Sequence, residues 1–138
     1  MSRTVRQRKQ GQALIEMAIV MPVLIFTILG GLDFMQRFIA EYTINQAARV
    51  VAHQAALDGG NRQGRATASG NEVINGGIGT KSSLATIQVA CSTNPCRRYS
   101  PITVTITYSD KVWAPMPWVY TEFTVVRKAV RAAEQDQQ

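Results

Sequence analysis

Histidine occurs once in these 138 residues, cysteine twice, and no acidic side chain precedes Glu16. Each scarcity excludes something. His53 stands among alanine, glutamine and valine, with no serine or carboxylate at helical spacing to form a nucleophile and base pair, so catalysis is not expected. Cys91 and Cys96 have no second cysteine pair beside them and the one imidazole is distant, which leaves too few donors for a structural metal. No cofactor is expected. Charged residues make up 17 % of the chain and the net charge is +6, but Arg3, Arg6, Arg8 and Lys9 supply four of the fifteen basic groups. The eleven that remain face nine acids and form no stripe that a phosphate backbone could follow, so nucleic acid is not an expected partner.

What the chain does have is one long apolar run. From Ala13 to Leu32 the only charge is Glu16, and no other segment competes. A hydrocarbon core about 30 Å thick is crossed by roughly 20 helical residues, which this run supplies. Its apolar groups lie around the whole circumference, as lipid exposure demands. A cleaved secretory signal would be shorter and would end in small residues, neither of which holds here. Basic residues are retained on the cytoplasmic side of a span. The N-terminus is therefore expected in the cytoplasm and the residues after about Asp33 on the far side of the membrane, which in a bacterium means the periplasm or beyond. Pro22 removes one backbone donor inside the run and predicts a kink or local unwinding. Gly30 and Gly31 offer either a second soft point or a place for close helix approach.

Helical periodicity continues past the membrane. Phe34, Phe38 and Tyr42 recur at every fourth residue beside Met35 and Ile39, and Ile44, Ala47, Ala48, Val51, Ala52 and Ala55 continue a stripe. This predicts one helix from Ala13 to Leu57, about 65 Å long, whose outer half must bury its stripe. Asp58-Gly59-Gly60-Asn61 ends it. The glycine-, serine- and asparagine-rich stretch to Ser83 reads as a long surface loop, with room for a short helix around Ala66 to Ile74.

The last third changes period to two. Ala85 to Cys91 and Ile102 to Tyr108 alternate as half-buried strands, and a third runs from Val119 to Arg127 with Thr121, Phe123 and Val125 on one face. Val130 and Ala132 to Glu134 either extend it or form a frayed tail. Three strands need a partner for their apolar face, and the outer half of the helix provides one. The expected fold is α+β: a long N-terminal transmembrane and amphipathic helix packed on a small three-stranded antiparallel sheet. Residues 1–11 form a basic cytoplasmic leader, 12–33 the transmembrane half of the helix, and 34–138 the periplasmic helix half with the sheet.

Three further features carry chemistry. Cys91 and Cys96 bracket a turn in a segment expected outside the cytoplasm, where an even pair reads as a disulfide. Trp113 and Trp118, around Ala114-Pro-Met-Pro117, read either as an exposed aromatic loop for a partner or lipid, or as indoles folded over the sheet. Glu16 is the strongest signal. A carboxylate near the end of a span costs a few kcal/mol unless it finds a partner, and Gly11 closes the basic leader just before it.

The opening Arg8-Lys9-Gln10-Gly11-Gln-Ala-Leu-Ile-Glu16-Met-Ala-Ile-Val-Met-Pro22, the Gly30-Gly-Leu-Asp-Phe34 that follows and Ala47-Ala48-Arg49-Val-Val-Ala52 resemble the TadE-like family, pseudopilins of the tight-adherence (Tad) branch of type IV pili. The resemblance covers roughly the first 55 residues, and beyond them it is architectural, a pilin-like fold. It implies cleavage by a membrane prepilin peptidase between Gly11 and Gln12, leaving Glu16 as an assembly contact that pairs with the free amine of a neighbouring subunit. The implied partners are that peptidase, other pilin or pseudopilin subunits, the inner-membrane platform and the lipid bilayer. The implied role is pilus assembly or adhesion, with incorporation in the extracellular fibre one outcome. Met17 stands where major pilins of this branch carry tyrosine, which points to a minor pilin. The competing readings are an uncleaved single-pass scaffold of the machinery and a membrane-tethered periplasmic binding module.

Overall fold

The computed structural model describes residues 3–116 and 120–136. The first helix, α1, spans Arg3–Asp58 and is 56 residues long, about 84 Å. It is longer than expected because the basic leader from Arg3 onward joins it without a break. It also remains helical through Pro22, so the local unwinding expected there does not occur. Met1 and Ser2 of the leader lie outside the described residues.

Burial divides this helix sharply. Between Gln12 and Leu32 no side chain is buried, and apolar groups stand open on every side: Leu14 is 71 % exposed and Phe26 62 %. From Asp33 onward one face is covered. That face runs Asp33, Gln36, Ala40, Ile44, Ala47, Ala48, Val51, Ala52 and Ala55, the spacing of three and four that a packed helix requires. Most of its members are alanines, so the sheet approaches the helix axis closely. Ile44 and Val51 are the large side chains that fill the layer.

The expected stripe is corrected at its lower end. Phe34, Met35, Phe38 and Tyr42 do not face the sheet; they lie 59–73 % exposed on the opposite side. The sheet instead takes the neighbouring line of polar and small residues, Asp33, Gln36, Ala40 and Thr43.

The short helix for which the segment after α1 had room is present, and slightly longer than expected. Gly60 N donates to Ala55 O as the helix closes, a short 3-10 turn covers Arg62–Gly64, and a second helix, α2, spans Arg65–Gly76. Ala66, Gly70 and Ile74 are its buried line. A Cβ at Gly70 would collide with Val51 Cγ2 and stand 2.9 Å from Ile87 Cδ1. Glycine there lets α2 lie against both α1 and the sheet, so its role is close packing and not a turn.

Three strands follow: β1 at Ala85–Cys91, β2 at Pro101–Met116 and β3 at Tyr120–Ala132. They form an antiparallel meander in the order β1-β2-β3. The expected α+β architecture is thus present, with β2 and β3 longer than expected. The expected start of the third strand, Val119, lies outside the described residues. Ile102, Val104, Ile106 and Tyr108 of β2 and Phe123 and Val125 of β3 point to α1, while Thr103, Thr105 and Thr107 face away from the core.

Two ties close the structure at its far end. Cys91 and Cys96 are joined by a disulfide, Cα atoms 5.7 Å apart, within the connection between β1 and β2. After β3 the chain does not fray: Ala133 is buried, Ala133 N donates to Ser100 O, and Glu134 N donates to Ala56 O.

Candidate functional site

The linear motif at the start of the chain lies within α1. Gly11 is the weakest helix former in the leader, costing about 1 kcal/mol relative to alanine. The cluster of cationic residues around it sits near the positive end of the helix dipole, which disfavours helix there as well.

One turn further on, Glu16 is exposed among open apolar neighbours, Ile15 at 65 % and Met17 at 60 %. The Gln12 side-chain amide donates to Glu16 Oε1 over 3.4 Å, a long bond between residues four apart on one face. The geometry brings together the residue that follows Gly11 and the carboxylate. Both are presented outward, toward whatever surrounds the helix.

The other end of the apolar stretch holds a second polar arrangement, which the sequence reading missed. Gln36 is 3 % exposed. Its amide nitrogen donates to Lys111 O at 2.8 Å, and Trp113 N donates to its Oε1 at 2.8 Å. β1 pairs with β2 only as far as Tyr108, so this one side chain satisfies two backbone groups of β2 beyond the reach of its neighbour strand. It thereby fixes this stretch of β2 to a definite height on α1. Asp33, 4 % exposed and partnered, lies one turn below it. The signal available in the sequence was the line Asp33, Gln36, Ala40, Thr43, polar or small at spacings of three and four.

Trp113 is 51 % exposed. Its indole lies against Gly79, where an added Cβ would stand 2.6 Å from Cζ2. Trp118 lies outside the described residues.

Two ties link α1 to β3 higher up. Arg127 Nη2 meets Glu41 Oε2 at 2.9 Å, both half-exposed, and Arg131 Nη1 donates to His53 Nδ1 at 2.8 Å. His53 is thus a surface tie between helix and sheet. In the core, burial first and the hydrogen bond to Asp110 second push the Tyr108 hydroxyl well above the ordinary tyrosine range. Tyr108 Oη donates to Asp110 Oδ2 at 2.7 Å.

Residues 11–53 match the family model described as TadE-like protein. The match begins at Gly11, takes in Glu16 and Gln36, and ends in the outer half of α1. Over this segment the chain is similar to TadE-like proteins. The helix is long and apolar enough to cross a membrane once, which fits a single-pass membrane protein. No curated protein matches the chain, and no solved structure does.

Proposed function

We propose that this chain is a minor pilin or pseudopilin of a Tad-type pilus, without enzymatic activity, processed by a prepilin peptidase after Gly11 and assembled through Glu16. The observation that carries the reading is the TadE-like match, which starts at Gly11 and contains the one carboxylate of the apolar stretch. Cleavage would create an α-amine at Gln12, next to lipid. An ammonium and a carboxylate each cost several kcal/mol in a medium of low dielectric, and pairing them offsets much of that cost. A neighbouring subunit whose amine meets Glu16 satisfies both ions at once, so assembly is favoured over the lone helix. Removal of the leader also takes away the four cationic groups that hold the N-terminus in the cytoplasm.

A second reading has its own observation. α1 runs unbroken through Gly11, and a peptidase needs an extended bond, so an uncleaved single-pass scaffold of the pilus machinery is the alternative.

N-terminal sequencing of protein from cells with and without the peptidase separates the two. Processing predicts Gln12 as the terminus only where the peptidase is present; an intact leader in both strains leaves the scaffold. Glu16→Ala is expected to be cut as the parent is but to leave cells without surface fibres. Normal piliation by that variant removes the assembly role assigned to Glu16.

A further inference from the structure

Trp113 gains its significance from the height at which Gln36 holds it. If Ala13 to Leu32 fill the hydrocarbon core, Gln36 stands about 6 Å beyond its edge. The polar interface of each leaflet is itself about 5–7 Å deep. The two hydrogen bonds that Gln36 makes with Lys111 O and Trp113 N place this stretch of β2 within or at the rim of that layer. On the other side of the same turns, Phe34 stands 73 % exposed about 3 Å past the core edge. An indole with one apolar body and one N–H is the side chain best suited to such a layer.

We infer that the sheet domain makes its own contact with the bilayer, resting Trp113 and Phe34 in the phospholipid headgroup zone on the side from which the domain emerges. The inference rests on the single-pass reading and goes beyond it: a span alone would leave the whole rod free to tilt, whereas a second contact sets the angle at which the domain stands on the membrane. The occupant is lipid and not a protein partner, because the exposed face is continuous with the lipid-facing surface of the span, from Leu14 through Leu32 to Phe34. Charge does not drive it. Lys111 stands opposite Glu122 in the β2–β3 register, Asp110 precedes it, and the other charges nearby are the cations Lys81 and Arg37 and the acid Asp33, so the rim has no net positive charge to seek anionic lipid. The contact is therefore expected in zwitterionic bilayers as readily as in anionic ones.

The test uses the full chain in phosphatidylcholine vesicles, with Trp118→Phe leaving Trp113 as the reporter. Its fluorescence is expected to lose more intensity to lipid brominated near the headgroup end of the acyl chain than to lipid brominated near the methyl end. Leu24→Trp, in a chain with both native tryptophans replaced by phenylalanine, should show the opposite order from mid-span. Adding anionic lipid should change neither order. If the mid-span reporter is quenched and Trp113 is not, the proposal is overturned while the span stands. Trp113 spared by bromolipid yet shielded from aqueous iodide would mean that protein covers it, which also overturns the proposal. If neither reporter is quenched, the span is wrong and the proposal falls with it.

Discussion

Phe34, Phe38 and Tyr42 share the same turns of α1 with Asp33, Gln36 and Ala40, yet the aromatic residues are open and the polar and small ones are covered. Ten residues further along, the order is the ordinary one: Ile44 and Val51 are covered while Arg49 and His53 are open. The difference lies in what surrounds each part of the rod. In water, an apolar face gains by packing inward, roughly 25 cal/mol per Å² removed. Under the single-pass reading Phe34 stands at the membrane edge, where lipid takes an apolar face equally well, and the sheet is left to receive the polar line, provided each polar group finds a partner. Gln36 finds two. One helix thus changes its packing rule partway along its length.

The contrast can be broken most directly by shortening one isoleucine on each side of it. Ile44 is fully buried between α1 and the sheet, so Ile44→Ala should cost the outer domain about 2–5 kcal/mol. Ile19 is 65 % exposed, touching no part of the domain, and Ile19→Ala should leave the same unfolding transition within about 0.5 kcal/mol of the parent. Denaturant unfolding of the full chain in detergent micelles, followed by near-ultraviolet circular dichroism, measures both. Equal losses would mean that the two regions are not packed independently.

Period and punctuation made most of the outer fold legible. Ala85 to Cys91 and Ile102 to Tyr108 alternate, and they pair in register as β1 and β2. Gly59 and Gly60 end α1 with positive φ, as paired glycines do. The misreadings share a physical cause: a residue type was read without its neighbour. The reason for glycine at position 70, the nearness of Val51 and Ile87, lies elsewhere in the chain, and no local pattern shows it. Phe34 and Phe38 looked like core because periodicity reports that a face is apolar and not whether lipid or protein meets it. Gly11, Gln12 and Glu16 stood out as a linear motif, whereas Gln36 depends on Lys111, 75 residues distant, and no local pattern announces that bond.

A second pair of substitutions sharpens the comparison at the level of glycine. Gly70→Ala drives a methyl into Val51 and Ile87 and should cost about 1–3 kcal/mol, since neither neighbour can move without disturbing the layer between α1, α2 and β1. Gly30→Ala meets nothing within 4 Å, and in the helix interior it removes a residue of poor helix propensity, a gain of up to about 1 kcal/mol. Opposite signs for the two changes, measured as shifts in the thermal midpoint of the full chain in micelles, are the expected result. A clear loss from Gly30→Ala would show instead that this part of the helix already has a close neighbour.

The smallest effect concerns alkali and separates the two regions by chemistry. Tyr108 is buried in the outer core with its hydroxyl bonded to Asp110, and both features favour the neutral phenol. Its proton is held more tightly in the folded chain than in the unfolded one, where the ordinary value is 10.0. Below that value the contribution is fully present. Above it the unfolded chain releases the proton first, so stability falls as pH rises toward the elevated folded value, by up to about 1.4 kcal/mol per pH unit. Other groups titrate in the same range, so the quantity to measure is the difference between the parent and Tyr108→Phe. The parent should show the steeper loss in alkaline denaturant titrations, while the helical signal of the apolar span, which contains no tyrosine between Gln12 and Leu32, should not respond. Identical slopes in parent and variant would mean that the phenol already reaches water, and that the layer beneath Tyr108 is looser than its burial implies.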